Sequence, residues 1–380
     1  MPSSRLILGT ALVAIANFAV SDADAQSVNA GALAASTTRP FQSQTVAEFN
    51  TPWALAFLPD ERMLVTEKPG ALYLVTDSGE KTEVSGVPAV AASGQNGLLD
   101  VAIAPDFAES NYVYLTYVEP DPDGARLALA RAKLIEDGAE ARLEDFSAIW
   151  RQTPGGGRGQ PGGIIAIEPQ GAHLFLTVGD RMDPESAQDP DMARGKVLRL
   201  GLDGSTPDDN PMVGEGGVKA QTWTTGHRNP YGLAFDARGQ LWLHEMGPRG
   251  GDELNMIEPG QNYGWPVVSN GNNYSGSDIP DHETRPEFAP PAVYWTPVIA
   301  PAGLAFYEAD LFPAWKGSGL IGGLAVQALV RVGFGSGPAD EADRWDMGAR
   351  IRDVAVASDG AVWVLEDASP GKLRRLTPGE

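Results

Sequence analysis

Cysteine is absent from the 380 residues, and histidine occurs only four times. Thiolate metal centres, cysteine nucleophiles and covalent haem attachment are thereby excluded, and a histidine-rich metal site has too few ligands to draw on. Without disulfides, stability must come from a large core, for which a chain of this length is sufficient. Positive charge is scarce: 28 Lys and Arg face 50 Asp and Glu, a net charge of −22. Such a field repels phosphate backbones, which argues against a nucleic-acid partner and suits bound cations or neutral substrates such as sugars. For most of these carboxylates solubility is role enough. Long apolar runs are confined to the start. Arg5, the apolar stretch Leu6 to Val20 and the small-residue site Ala23-Asp24-Ala25 read as a secretory signal cut near Ala25, which predicts export. An N-terminal membrane anchor is the competing reading, but that stretch is short and interrupted, and no later one is apolar enough to span a bilayer.

Five segments share one form. Trp53-Ala-Leu-Ala-Phe-Leu-Pro-Asp leads to Met63-Leu-Val-Thr-Glu, and Leu99-Asp-Val-Ala-Ile-Ala-Pro-Asp leads to Tyr112-Val-Tyr-Leu-Thr-Tyr. The same form recurs from Gly163 to Val178, from Tyr231 to Glu245 and from Ile351 to Glu366. Each is an alternating apolar run, a Pro/Asp/Gly turn and a second alternating run, the pattern of a β-hairpin. A looser sixth copy begins at Ala300, and short runs such as Ala71–Val75 and Lys196–Leu200 lie between copies. Repetition of this kind predicts an all-β, six-bladed β-propeller of four-stranded antiparallel blades. Two stacked β-sandwiches are the alternative. Residues 1–25 are assigned to the signal, 26–45 to a lead-in and 46–380 to one propeller domain.

The densest chemical cluster comprises Gly226-His-Arg-Asn-Pro-Tyr-Gly, Glu245-Met-Gly-Pro-Arg-Gly-Gly-Asp-Glu and Gln261-Asn-Tyr-Gly-Trp-Pro. Glycine and proline at this density turn carbonyls outward beside Asp252 and Glu253, an oxygen-rich setting suited to calcium. A loop whose acids simply face solvent is the plainer reading. Arg350 and Arg352, alternate residues of one run, would by themselves be a solvated pair on one strand face.

Ordered segments from Pro52 to Leu376 resemble the soluble pyrroloquinoline quinone (PQQ)-dependent sugar dehydrogenases, the glucose/sorbosone and aldose sugar dehydrogenase group. They include Gly94-Gln-Asn-Gly-Leu-Leu-Asp, Gly179-Asp-Arg, Gly195-Lys-Val-Leu-Arg-Leu, Gly226-His-Arg-Asn-Pro, Gly247-Pro-Arg-Gly-Gly-Asp-Glu, Asn262-Tyr-Gly-Trp-Pro, Tyr294-Trp-Thr-Pro and Arg350-Ile-Arg-Asp-Val. The resemblance implies a six-bladed propeller, periplasmic or secreted, that oxidises aldoses with PQQ and calcium. It assigns the Gly247 and Pro248 carbonyls to the calcium that also meets the quinone, and Glu253 with the Tyr263 carbonyl to a second calcium. It places Arg228, Asn229, Arg350 and Arg352 on the quinone, whose carboxylates suit guanidinium forks. Gln95 and Trp295 match substrate-side positions.

Two positions depart from the family. Gln160, in Gly159-Gln-Pro-Gly-Gly, stands where the family has its catalytic histidine, and an amide cannot serve as a general base. Ala325 stands where a lysine often lies near the quinone. His227 falls inside the arginine-bearing loop, which it is expected to shape, and His173, His244 and His282 read as structural, so Asp180 in Gly179-Asp-Arg becomes the carboxylate expected to act as base. A propeller that binds a sugar or protein partner without turnover is the second reading, favoured by Gln160 and Ala325. A calcium-dependent lactone hydrolase would need axial carboxylates, for which no motif is evident.

Overall fold

The computed structural model describes residues 27–335 and 337–379; the expected signal and its cleavage near Ala25 lie outside them. Every alternating run of the repeat forms a strand, and each pair of runs forms an antiparallel hairpin. Two further strands extend each hairpin outward to four, and the outer strands of the first two, Lys81–Ser85 and Glu140–Arg151, pair in parallel into one eight-stranded sheet. The innermost strands are Pro52–Phe57, Leu98–Ile103, Gly162–Ile167, Pro230–Phe235, Pro301–Tyr307 and Ile351–Val356. They touch in that order, and the last returns to the first, so the ring is closed. The architecture is a β-propeller with few helices, and no helix among the described residues is long and apolar enough to cross a membrane.

Closure uses both ends of the chain. Phe41–Phe49 runs antiparallel to the C-terminal strand Gly371–Pro378, so the last sheet takes its outer strand from the N-terminal part. The lead-in assigned to 26–45 therefore ends inside a strand. Further back, Val28–Asn29 adds in parallel to Val293–Trp295. Both additions cover sheet edges, which would otherwise offer unpaired N–H and C=O groups to other chains.

A bulge interrupts each innermost strand near its start, leaving a backbone N–H without its ladder partner. In the first three sheets a threonine of the second strand fills that gap and reaches the next sheet. Thr66 Oγ1 accepts from Ala54 N at 3.0 Å and donates to the Leu99 carbonyl at 2.7 Å. Thr116 and Thr177 repeat the device, with Asp100 N and the Gly163 carbonyl, and with Ile164 N and the Pro230 carbonyl. His244 holds the matching place in the fourth sheet and donates from Nε2 to the Gly303 carbonyl at 2.8 Å. Burial holds that imidazole down at about 4, hence neutral. Gly232 lies against it, and any Cβ there would run into the ring.

Apolar side chains fill the spaces between neighbouring sheets, with Leu, Val and Ala the most frequent. Along the axis, residues of all the innermost strands line a channel of about 170 Å³, among them Trp53, Asp100, Tyr231, Arg352 and Asp353.

Candidate active site

In an antiparallel hairpin the start of the first strand and the end of the second lie at the same end. The residues singled out at these places must therefore share one rim of the ring. Gln160 precedes Gly162–Ile167 and Asp180 follows His173–Val178; Arg228 and Asn229 precede Pro230–Phe235 and Gly247 follows Leu241–Glu245. Arg350 precedes the last innermost strand and Arg352 lies at its start, and Asp367 follows its partner Val362–Glu366.

Gln160 sits at the centre of the first group. It is buried, at a positive φ of 45°, and its backbone N–H donates to Gln95 Oε1 at 2.6 Å. With its amide turned to satisfy both neighbours, the nitrogen donates to Asp180 Oδ1 and the oxygen accepts from Arg228 Nη2 at 2.8 Å. Asp180 is fully buried; Met182 N donates to Oδ1 at 2.8 Å and Trp265 Nε1 to Oδ2 at 2.9 Å. Burial raises its carboxyl to about 6, against the pull of those donors and of Arg228. The Arg228 guanidinium lies 5.3 Å from the Trp265 ring and donates from Nη1 to the Met246 and Gly247 carbonyls at 2.9 and 3.0 Å. Its Nη2 also reaches the exposed Tyr274 hydroxyl at 3.4 Å.

The second group reaches the channel through Arg352, which lines it. Arg352 is buried 4.2 Å over the Trp53 ring and 5.7 Å from that of Tyr231, so it reaches across from the last sheet to the first and fourth. Asp367 accepts from Arg352 at 3.1 Å and from Arg350 Nε at 2.9 Å. Burial would raise the Asp367 carboxyl, but the two guanidiniums hold it below its ordinary value. Arg352 Nε and Nη1 have no hydrogen-bond partner among the described residues, nor do Arg181 Nε and Nη2 or Asn229 Oδ1. Buried N–H groups left in this state are uncommon and point to a missing acceptor. Burial lowers Arg181 to about 10.

Most of the sequence-predicted residues thus converge, with exceptions. Trp295 is not at the rim: it is fully buried in an outer strand and donates from Nε1 to Glu341 at 2.6 Å. Its neighbour in the ladder is Asp252, and the pleat turns the indole between sheets. Arg350 lies at the outer edge of its group, paired with Asp367 and the Leu324 carbonyl beside Ala325. The Gly247 carbonyl already accepts from Arg228, and both Glu253 oxygens are engaged by side chains, His282 at 3.2 Å and Asn255 at 3.3 Å. Tyr263 stacks on His227 at 4.9 Å. Arg181, Tyr231, Trp53 and Asp367 were not foreseen. Arg181 directly follows Asp180 and Asp367 directly follows a hairpin end, so the hairpin rule was the available signal for both.

The chain matches the Glucose / Sorbosone dehydrogenase family over residues 49–375. It belongs to that family. This glucose/sorbosone dehydrogenase family member is 41% identical to the aldose sugar dehydrogenase YliI of Escherichia coli over 338 residues, 86% of this chain and 90% of that one. The apo-form crystal structure of the soluble E. coli aldose sugar dehydrogenase superposes with a TM-score of 0.83 at 38% identity, covering 89% of this chain and all of that one. A PQQ-bound aldose sugar dehydrogenase from Streptomyces coelicolor superposes at 0.71 with 27% identity, over 90% and 99% of the two chains.

Proposed function

We propose that this chain is an exported dehydrogenase, periplasmic or secreted, that oxidises an aldose at its anomeric carbon with PQQ on a six-bladed propeller. The observation that carries the reading is the set of unpartnered, buried guanidinium N–H groups of Arg352 and Arg181, on the rim that also holds Arg228 and Asp180. Such donors fit a ligand bearing several carboxylates, as this quinone does. When bound, the quinone supplies the carbonyl that accepts a hydride from the sugar.

The chain's own groups supply the rest. Arg352 and Arg228 bind carboxylates, with Trp53 and Trp265 as walls beside them. As the anomeric hydrogen leaves the sugar with two electrons, the hydroxyl proton must pass to a base and a lactone results. Asp180 takes that proton on Oδ2, which accepts one hydrogen bond where Oδ1 accepts two. A carboxyl titrating near 6 is mostly ionised at neutral pH yet basic enough to act. Gln160 orients it by bridging to Arg228. Calcium belongs to the same reading at the Gly247–Pro248 turn, whose carbonyls are hard oxygen donors. A carboxylate that draws Arg228 away would free the Gly247 oxygen for it.

The test adds PQQ and calcium to the purified chain and follows quinone absorbance and dye reduction with several aldoses. Uptake with turnover is expected. Uptake without turnover would favour a sugar- or partner-binding propeller, the reading supported by Gln160 in the histidine's place. No uptake would end the dehydrogenase reading.

A further inference from the structure

The resemblance assigns Glu253 and the Tyr263 carbonyl to a second calcium, but both Glu253 oxygens are already engaged by side chains, while Asn255 Oδ1 and His282 Nδ1 beside them keep no partner among the described residues. Glu253 Oε1 accepts from His282 Nε2 at 3.2 Å and its Oε2 from Asn255 Nδ2 at 3.3 Å. His282 is 4% exposed and comes from the short turn His282–Thr284 in the long connection between Asp252–Met256 and Val293–Trp295. The space left between Glu253, Glu245, Gly247, Tyr263 and Ser269 is about 10 Å³, room for a single water. Glu245 on the same wall is equally taken, by His227 Nδ1 at 2.8 Å and by Arg228 N at 2.5 Å. Calcium needs six to eight oxygens around it, and no cluster of three His, Asp or Glu side chains placed to hold a metal includes Glu253 among the described residues, so an ion there would have to rest mainly on carbonyls.

We propose that the His282 imidazole takes the place of a second metal ion, tying the connection between 257 and 292 to Glu253. That connection carries Trp265 and Tyr274, which flank Arg228. The tie therefore sets one wall of the rim site by an internal side chain rather than by a bound cation. An ion entering at Glu253 would have to expel a buried ring and strand its N–H.

Calcium bound per chain is measured by equilibrium dialysis of quinone-free protein, and melting is followed in EDTA. Glu253→Gln is expected to bind as much calcium as the unmodified chain. Loss of one calcium per chain in that variant overturns the proposal. His282→Ala is expected to melt several degrees lower in EDTA, and His282→Gln, which keeps an N–H for Glu253, to recover part of the loss. Equal melting of both variants and the unmodified chain also overturns it, and does so even should Glu253→Gln fail to fold. Neither measurement involves quinone or sugar, so failure here leaves the dehydrogenase reading intact.

Discussion

Burial of Asp180 brings its carboxyl to about 6, while the amide of Gln160 beside it has no usable proton affinity. Turnover should therefore rise with pH through about 6, as the carboxylate forms, and fade below it. Asp180→Asn should lose on the order of 10²- to 10⁴-fold in turnover, the usual worth of a positioned base, with quinone uptake retained; unchanged turnover would sink the assignment. Arg352→Leu acts on binding instead. Removing charge-assisted hydrogen bonds of roughly 1.5–3 kcal/mol should weaken quinone uptake on the order of 10- to 100-fold, read by absorbance titration. At this scale the sequence exposed residue types well and partners poorly. That Gln160 could not be a base was plain from its chemistry. That it bridges Asp180 and Arg228 was not, because the three lie in different segments. Trp295 misled because its place in a motif says nothing of which way the pleat turns it.

Hairpins were the most legible elements, since alternation with a period of two needs only local sequence to show. The bulges and their threonine links were not, although Thr66, Thr116 and Thr177 stand at matching places in the repeat. A threonine in a strand is ordinary; its link appears only once the neighbouring sheet is beside it. Thr116→Val would keep the shape and strand both Asp100 N and the Gly163 carbonyl. Each unsatisfied buried group costs about 1–3 kcal/mol, so the denaturation midpoint should fall markedly with the slope unchanged. A midpoint equal to that of the unmodified chain would show that the links carry no stability.

The whole ring places carboxylates where no single sheet would. Asp100 and Asp353 line the axial channel, pushed up to about 8 and about 7, first by burial and, for Asp100, by the charge of Asp353. A carboxyl whose folded pKa exceeds its unfolded value of about 3.8 favours the fold when protonated. That contribution is complete below about 3.8 and is lost as pH rises through the folded values. Between pH 5 and 8 the melting temperature should therefore fall as pH rises, and Asp100→Asn should flatten the slope. A melting temperature that climbs across this window would contradict the account.

Hairpins, turn residues and a family resemblance were all readable along the chain, because each depends on neighbours in sequence. Which strand closes the ring, which imidazole meets Glu253 and how far Asp180 is desolvated depended on contacts between residues distant in sequence. Phe41–Phe49 finds Gly371–Pro378 across almost the whole chain, and its alternation alone names no partner. Desolvation likewise is set by everything packed around a group, so the titration of the proposed base exists only in the assembled ring.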